Sequence, residues 1–324
     1  MTSLYPSVRS RSWLNRSFQI VLLAAIFLVL WQVANGEQAV QLLLQADLAM
    51  LGAALFLLSL QTILSALRWK ITASQLGIKM NSNKALREYY IAQAANQSLP
   101  GGVLGDLARA ARSSQQAGWL RAAQAVVIER LIGQLGLLIV FFSALVISLV
   151  SLSEFEIPIW LLLASSMALL LSALVLATLV SIARLSNSGF SRFLTGIWIN
   201  LQAAIFDKKV FWMQLLLSLG TAILNVYAFV LSAWAIGAEI DLIASFIVIP
   251  IVLLAMLVPL TIGGWGVREA LAATLFPLAA AGATQGLAAS VAFGLVFMLA
   301  SAPGFFAVLF MGRSREYSGK EFGV

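Results

Sequence analysis

The sequence predicts an all-α, polytopic integral membrane protein, and three observations carry that expectation. The chain is 61% hydrophobic and only 10% charged, with a mean hydropathy of +0.96. Uncharged, mostly apolar runs long enough to cross a bilayer recur at 17–36, 48–67, 131–153, 157–183, 210–238 and 242–267. A further run, 270–312, is about twice the length that one crossing needs, and Pro277 and Gly282 mark a turn near 280–284. Together these give about eight transmembrane helices, with two segments broken by Gly or Pro or re-entrant.

The charges test that count. Lys and Arg concentrate in cytoplasmic loops. With eight crossings and the N-terminus inside, all 20 basic residues fall on the cytoplasmic side or at its interface. The outer loops and their flanks then hold only Glu37, Asp47, Glu154, Glu156, Glu239 and Asp241. The expected organisation is a cytoplasmic tail over 1–16, a membrane domain over 17–312 and a second cytoplasmic tail over 313–324. The location that follows is the plasma (inner) membrane. The net charge of +7 thereby reflects topology, and no nucleic-acid partner is expected, because the basic residues are spread over several loops. Arg9, Arg11 and Arg16 before the first run resemble a signal peptide, but the run is long and a second follows, so a retained anchor is expected.

Tryptophan supports the same map, since its ring favours the headgroup level. Trp13, Trp31, Trp69, Trp119, Trp160, Trp212 and Trp234 all fall near expected span ends. Over 193–206, Phe193, Ile197, Leu201 and Ile205 repeat at a spacing of four, which reads as an amphipathic helix at the inner interface or packed on the bundle. Cys and His are both absent. That excludes disulfides, thiol nucleophiles and His-based metal or haem sites, so no metal, cofactor or catalytic residue is expected. No Gly-x-x-x-x-Gly-Lys-Ser/Thr loop is present for ATP.

Function is sought at two breaks. The first contains Asn96, Pro100, Gly101, Gly102, Gly105 and Asp106, with Arg109 one turn on. Pro and paired Gly stop a helix, and broken backbone at membrane depth is tolerated only where protein or a cavity covers it. The helix that restarts here offers N–H groups and a partial positive charge to a phosphate. Asp106 and Arg109, three apart, share a face and can pair. The competing reading is a cytoplasmic loop whose glycines cap helices. The second break is Gly263-Gly264-Trp265-Gly266 directly before Arg268-Glu269. Neighbours on a helix point apart, so these two charges are expected to have different partners. Snorkelling would explain Arg268 but not Glu269. Glu129-Arg130, at the end of another span, reads as part of the same polar cluster or as a helix start tethered by its Arg. Arg68-Trp69-Lys70 reads as an interface anchor. The two breaks are expected to meet in a polar cavity, with Asp106 facing Arg268 and Arg109 facing Glu269.

The succession Arg68-Trp69, Asn96…Leu99-Pro100-Gly101-Gly102…Gly105-Asp106…Arg109, Glu129-Arg130 and Gly263-Gly264-Trp265-Gly266-Val267-Arg268-Glu269 resembles the lysylphosphatidylglycerol synthase transmembrane family. The resemblance covers roughly 17–312 and implies a flippase-like domain without the soluble synthase part. It implies translocation or headgroup binding of an anionic, aminoacylated or glycosylated membrane lipid, with no catalysis. The alternative is an intramembrane lipid-modifying transferase or its non-catalytic subunit. Expected partners are the lipid, a lipid-synthesis enzyme or a second copy of the chain.

Overall fold

The computed structural model describes residues 31–32, 35–99, 103–150, 158–159, 195–196, 198–199, 208–254, 256 and 263–308. The described residues are helical, and no strand occurs among them. The helices are α1 (Gly36–Leu44), α2 (Leu48–Gln75), α3 (Ser82–Ser98), α4 (Leu104–Ala117), α5 (Trp119–Val150), α6 (Lys208–Ala235), α7 (Leu242–Leu254), α8 (Val267–Leu275) and α9 (Ala283–Ala300). A short 3₁₀ turn, Phe276–Ala279, extends α8. Polar side chains start several of these helices. Asp47 Oδ1 accepts from the Ala49 N–H, Asn81 Oδ1 from Lys84 and Asp241 Oδ1 from Ala244, at 2.7, 2.8 and 2.6 Å. Each satisfies a first-turn donor that the helix itself leaves open.

Among the described residues, four helices are long and apolar enough to cross a membrane: Leu48–Gln75, Trp119–Val150, Val210–Ala235 and Ala283–Val308. They match four of the expected runs. The expected runs 17–36 and 157–183, and the amphipathic stretch 193–206, lie almost entirely outside the described residues.

The chain divides into two compact units. The first comprises Met1–Gln61, Arg87–Asp106 and Leu224–Val324, and the second Thr62–Leu86 and Leu107–Ile223. Within the first, Phe293 stacks on Phe229 with ring centroids 4.9 Å apart, and Phe276 lies 5.8 Å from Phe229. Gly286 lets α9 press onto the Ala272 carbonyl of α8, the close backbone approach that small residues allow between helices in lipid.

The first unit departs from the expected run 242–267. α7 ends at Leu254 and the chain turns at 263–266, where α8 begins. The Asp241 N–H, just before α7, donates to the Ala279 carbonyl, at the end of the 3₁₀ turn, at 3.3 Å. The chain therefore returns to the end it left. Among the described residues, α7, the turn at 263–266 and α8 with its 3₁₀ turn thus form a helical hairpin where two crossings were expected. The expected turn near 280–284 is present, with Ala280 in the left-handed region at φ 62 and α9 starting at Ala283.

Candidate functional site

The hairpin tip is built by glycine. Gly263, Gly264 and Gly266 have φ of 58, 81 and 87, a region that L side chains rarely enter. This turn delivers the start of α8 into the interior of the first unit. Glu269, in the first helical turn, folds back so that its Oε2 accepts from the Gly266 N–H at 2.5 Å. The same fold brings its Oε1 to Arg268, whose Nε and Nη2 donate at 3.1 and 2.5 Å. Ser290 on α9 completes the group. Its hydroxyl donates to Glu269 Oε1 at 3.1 Å, and its carbonyl accepts from Arg268 Nη2 at 3.0 Å. Arg268 and Glu269 are both fully buried. The guanidinium lies over the half-buried Trp265 ring at 5.0 Å and over Phe293 at 5.5 Å. Gly294 on α9 makes room: a side-chain carbon there would strike Arg268 Nη2 and the Trp265 ring.

The expectation of different partners for Arg268 and Glu269 is therefore corrected. Helix geometry separates their Cβ atoms, but a long Arg and a Glu turned back to cap its own helix can still meet. The expected pairing of Asp106 with Arg268 and of Arg109 with Glu269 is replaced by Arg268–Glu269 and Arg109–Glu129.

At the first break, Asn96 plays the capping role. Its Oδ1 accepts from the Gly105 N–H at 2.8 Å, and its Nδ2 donates to Asp106 Oδ2 at 3.3 Å. Gly105 lies against the Ala92 carbonyl, which closes α3 onto α4. Pro100, Gly101 and Gly102 lie outside the described residues. At both breaks, an N–H at the start of the new helix is already held by a side chain of the chain itself. The arginines are thus the better-placed groups for an anion.

The two breaks touch within the first unit. A side-chain carbon built on Gly263 would lie 2.5 Å from Gln97 Oε1 and 3.4 Å from the Gln97 Cα. Gln97, beside Asn96, is itself buried.

Arg109 and Glu129 belong to the second unit. Glu129 is fully buried and bridges two guanidiniums, Arg68 Nη2 at 2.7 Å and Arg109 Nη2 at 3.2 Å. Arg109 also lies over the Trp69 ring at 4.6 Å, and Arg68 Nη1 donates to Thr221 Oγ1 on α6 at 2.9 Å. Gly133 on α5 leaves the space that Arg68 Nη2 fills. Arg130, expected in the same cluster, is exposed. The reading of Arg68-Trp69 as an interface anchor is also corrected. α2 continues to Gln75, and both side chains are buried. Thr221 and Ser290 were missed, since one hydroxyl in an apolar run carries no signal of its own. Among the described residues, no cluster of acids is suited to a metal ion.

A family model described as the lysylphosphatidylglycerol synthase TM region matches residues 18–304. The chain belongs to this family. The match runs through both breaks and through Arg68, Arg109 and Glu129. No curated protein matches the chain. As a member of the lysylphosphatidylglycerol synthase TM family with apolar spanning helices, it is a membrane protein, and its family points to a membrane-lipid-related function.

Proposed function

We propose that the chain binds and translocates the polar headgroup of an anionic, aminoacylated or glycosylated lipid, without chemically altering it. One observation carries this reading. The glycine turn at 263–266 packs on Gln97, beside the first break, and the helix it starts holds a fully buried ion pair, Arg268–Glu269. Charge inside a membrane protein is costly and marks substrate paths by default. Broken helices in contact are also the construction transporters use for substrate sites. The Arg268 guanidinium offers donors to a phosphate, and its carboxylate partner keeps the pair neutral when no headgroup is present. The family model supports a lipid as the cargo. In this reading the chain resides in the plasma membrane, with both termini and the loops carrying Lys79, Arg112 and Lys208 on the cytoplasmic side. A lipid-synthesis enzyme or a second copy is the natural partner, delivering or receiving the lipid.

The test uses purified protein in liposomes, with labelled lipid in one leaflet. Redistribution of chemically intact lipid, lost in Arg268→Met, is the expected result. A change in lipid mass would establish the transferase reading instead. Neither redistribution nor modification, across anionic, aminoacylated and glycosylated lipids, would overturn transport.

A further inference from the structure

Two stretches of the chain repeat one plan. α2 and α6 each have 28 residues, and α6 begins 160 residues after α2. Both end in the same way. The Ile78 N–H donates back to the Ala73 carbonyl and Gly77 to Ser74, at 2.9 and 3.1 Å. Ala238 donates to Ala233 and Gly237 to Trp234, at 3.0 and 2.9 Å. Gly77 and Gly237 take φ of 81 and 75. Such caps are common singly, but here every partner lies 160 residues from its counterpart. Asn81 and Asp241, again 160 apart, then start α3 and α7 by accepting from the N–H three residues on. In the sequence, the pairs Gly101-Gly102 and Gly263-Gly264 fall 162 apart. So do Gly118 and Ala280, at φ 83 and 62, which precede the membrane-length helices α5 and α9.

The two copies run in opposite directions. In the second unit, Arg68 pairs with Thr221 and Thr72 with Gln214, so later residues of α2 meet earlier ones of α6. In the first unit, the Asp47 N–H, at the start of α2, donates to the Ala235 carbonyl, at the end of α6, at 2.8 Å. Loops 76–81 and 236–241 therefore lie at opposite ends of an antiparallel helix pair. Each loop opens a pair of helices that returns to it. At the first, a side-chain carbon on Gly77 would lie 3.9 Å from Arg121 Nη1, just past α4, and Gly105 of α4 lies against the Ala92 carbonyl of α3. At the second, Asp241 meets Ala279. The long helix that includes α9 touches both pairs. Gly286 presses on Ala272 of α8, and Gly304, 18 residues or about 27 Å further along, presses on the Tyr90 carbonyl of α3. That separation is close to a hydrocarbon thickness, as hairpins entering from opposite faces require.

We propose that residues 48–150 and 208–308 are two inverted copies of one module, whose hairpins, α3–α4 and α7–α8, expose the contact of Gly263 with Gln97 to each face of the membrane in turn. Inverted repeats place a site where the copies meet, and one copy rocking against the other opens it to alternate sides. The proposal rests on the headgroup reading for what is carried, and on the repeat alone for the two-sided access.

The chain has no native cysteine, so single thiols report without background. Lys79→Cys and Gln116→Cys mark the open end of α3–α4, and Glu239→Cys and Gly282→Cys that of α7–α8; all four positions are exposed. Val103→Cys and Val267→Cys mark the inner ends, at the starts of α4 and α8. A small charged methanethiosulfonate that does not cross the bilayer is applied to intact cells and to inverted vesicles, and surviving thiols are counted after denaturation. Positions 79 and 116 should react from one side only, and 239 and 282 from the other only. Positions 103 and 267 should react from both sides, on the order of tenfold more slowly, because a thiol ionises only while water reaches it. Reaction of 79 and 239 from the same side overturns the inversion, as does reaction of 116 or 282 on the side opposite its loop partner. Reaction of 267 from the side of 79 alone overturns it too, since 242–267 would then be a crossing. Silence at 103 or 267, or reaction of 103 from one side alone, overturns the two-sided access. The labelling needs no transport, so failure to move any lipid would strike the headgroup reading and leave these outcomes to decide the repeat.

Discussion

Glu269→Gln is the sharpest available test of the hairpin tip. The substitution keeps the shape of the side chain and removes its charge. Every neighbour of the carboxylate donates to it: the Gly266 N–H to one oxygen, and Arg268 Nε, Arg268 Nη2 and the Ser290 hydroxyl to the other. An amide can offer an oxygen to only one of those two ends. With its oxygen on Gly266, its NH₂ faces the guanidinium. Turned round, its NH₂ faces a backbone donor. Neither orientation balances the charge of Arg268, which is fully buried. Breaking one side of a buried ion pair costs about 3–5 kcal/mol, because the other charge is stranded. The double variant Arg268→Met with Glu269→Gln removes that charge, leaving the amide free to accept from Gly266 and donate to Ser290. It should lie within about 2 kcal/mol of the parent, as apolar replacement of buried pairs usually does. The measurement is unfolding of detergent-purified protein, followed by tryptophan fluorescence and far-ultraviolet circular dichroism. A single variant as stable as the parent, or a double variant worse than the single, would refute this account of the tip.

The remaining predictions concern the breaks and the topology. Gly105→Ala drives a methyl group into the Ala92 carbonyl and against Asn96 Oδ1, and should cost about 1–3 kcal/mol in the same unfolding assay, since backbone cannot step aside. Gly52→Ala is its counterpart: nothing lies within 4 Å of the added carbon inside α2, so stability should hold or rise by up to about 1 kcal/mol. Gly263→Ala with Gly264→Ala places side chains at φ 58 and 81, at about 1–2 kcal/mol of strain each, and pushes the tip from Gln97. The protein should still reach the membrane, but lipid redistribution in liposomes should fall. A thiol introduced by Lys79→Cys should be silent to an impermeant reagent outside intact cells, and labelling there would reverse the proposed orientation.

The sequence made some residues legible and hid others, for separable reasons. Arg268, Glu269 and Glu129 stood out because charge within apolar sequence is rare, and all three are buried. The meeting of the two breaks was legible as well, since Gly263 does pack on Gln97. Arg68 was misread because Arg-Trp-Lys at a span end is the usual pattern of an anchor. Its partners, Glu129 and Thr221, lie 61 and 153 residues away, and no local period announces them. The pairing of Arg268 with its own neighbour was hidden by helix geometry. Cβ directions predict contacts for short side chains, and fail when a long one turns back along the helix.

The hairpin was hidden for a deeper reason. Hydropathy reports composition, and segment 242–267 is uncharged and apolar whether the chain crosses or turns back. Charge sidedness is the usual remedy, but it tests only parity. Replacing the crossings 242–267 and 270–280 by one hairpin removes two passages, so every loop before and after keeps its side. The charged residues whose reading changes are Arg268 and its neighbour Glu269, and Arg268 shows the consequence. Taken as the inner end of a crossing, it would sit at an interface and need no partner. At the hairpin tip, it lies 12 residues from Ala280, or about 20 Å from the end where the hairpin opens, allowing for the stretched 3₁₀ turn. That distance exceeds half of a hydrocarbon core of roughly 30 Å. Arg268 is fully buried there, so its charge cannot be left to water, and the adjacent carboxylate of Glu269 becomes a requirement of the fold.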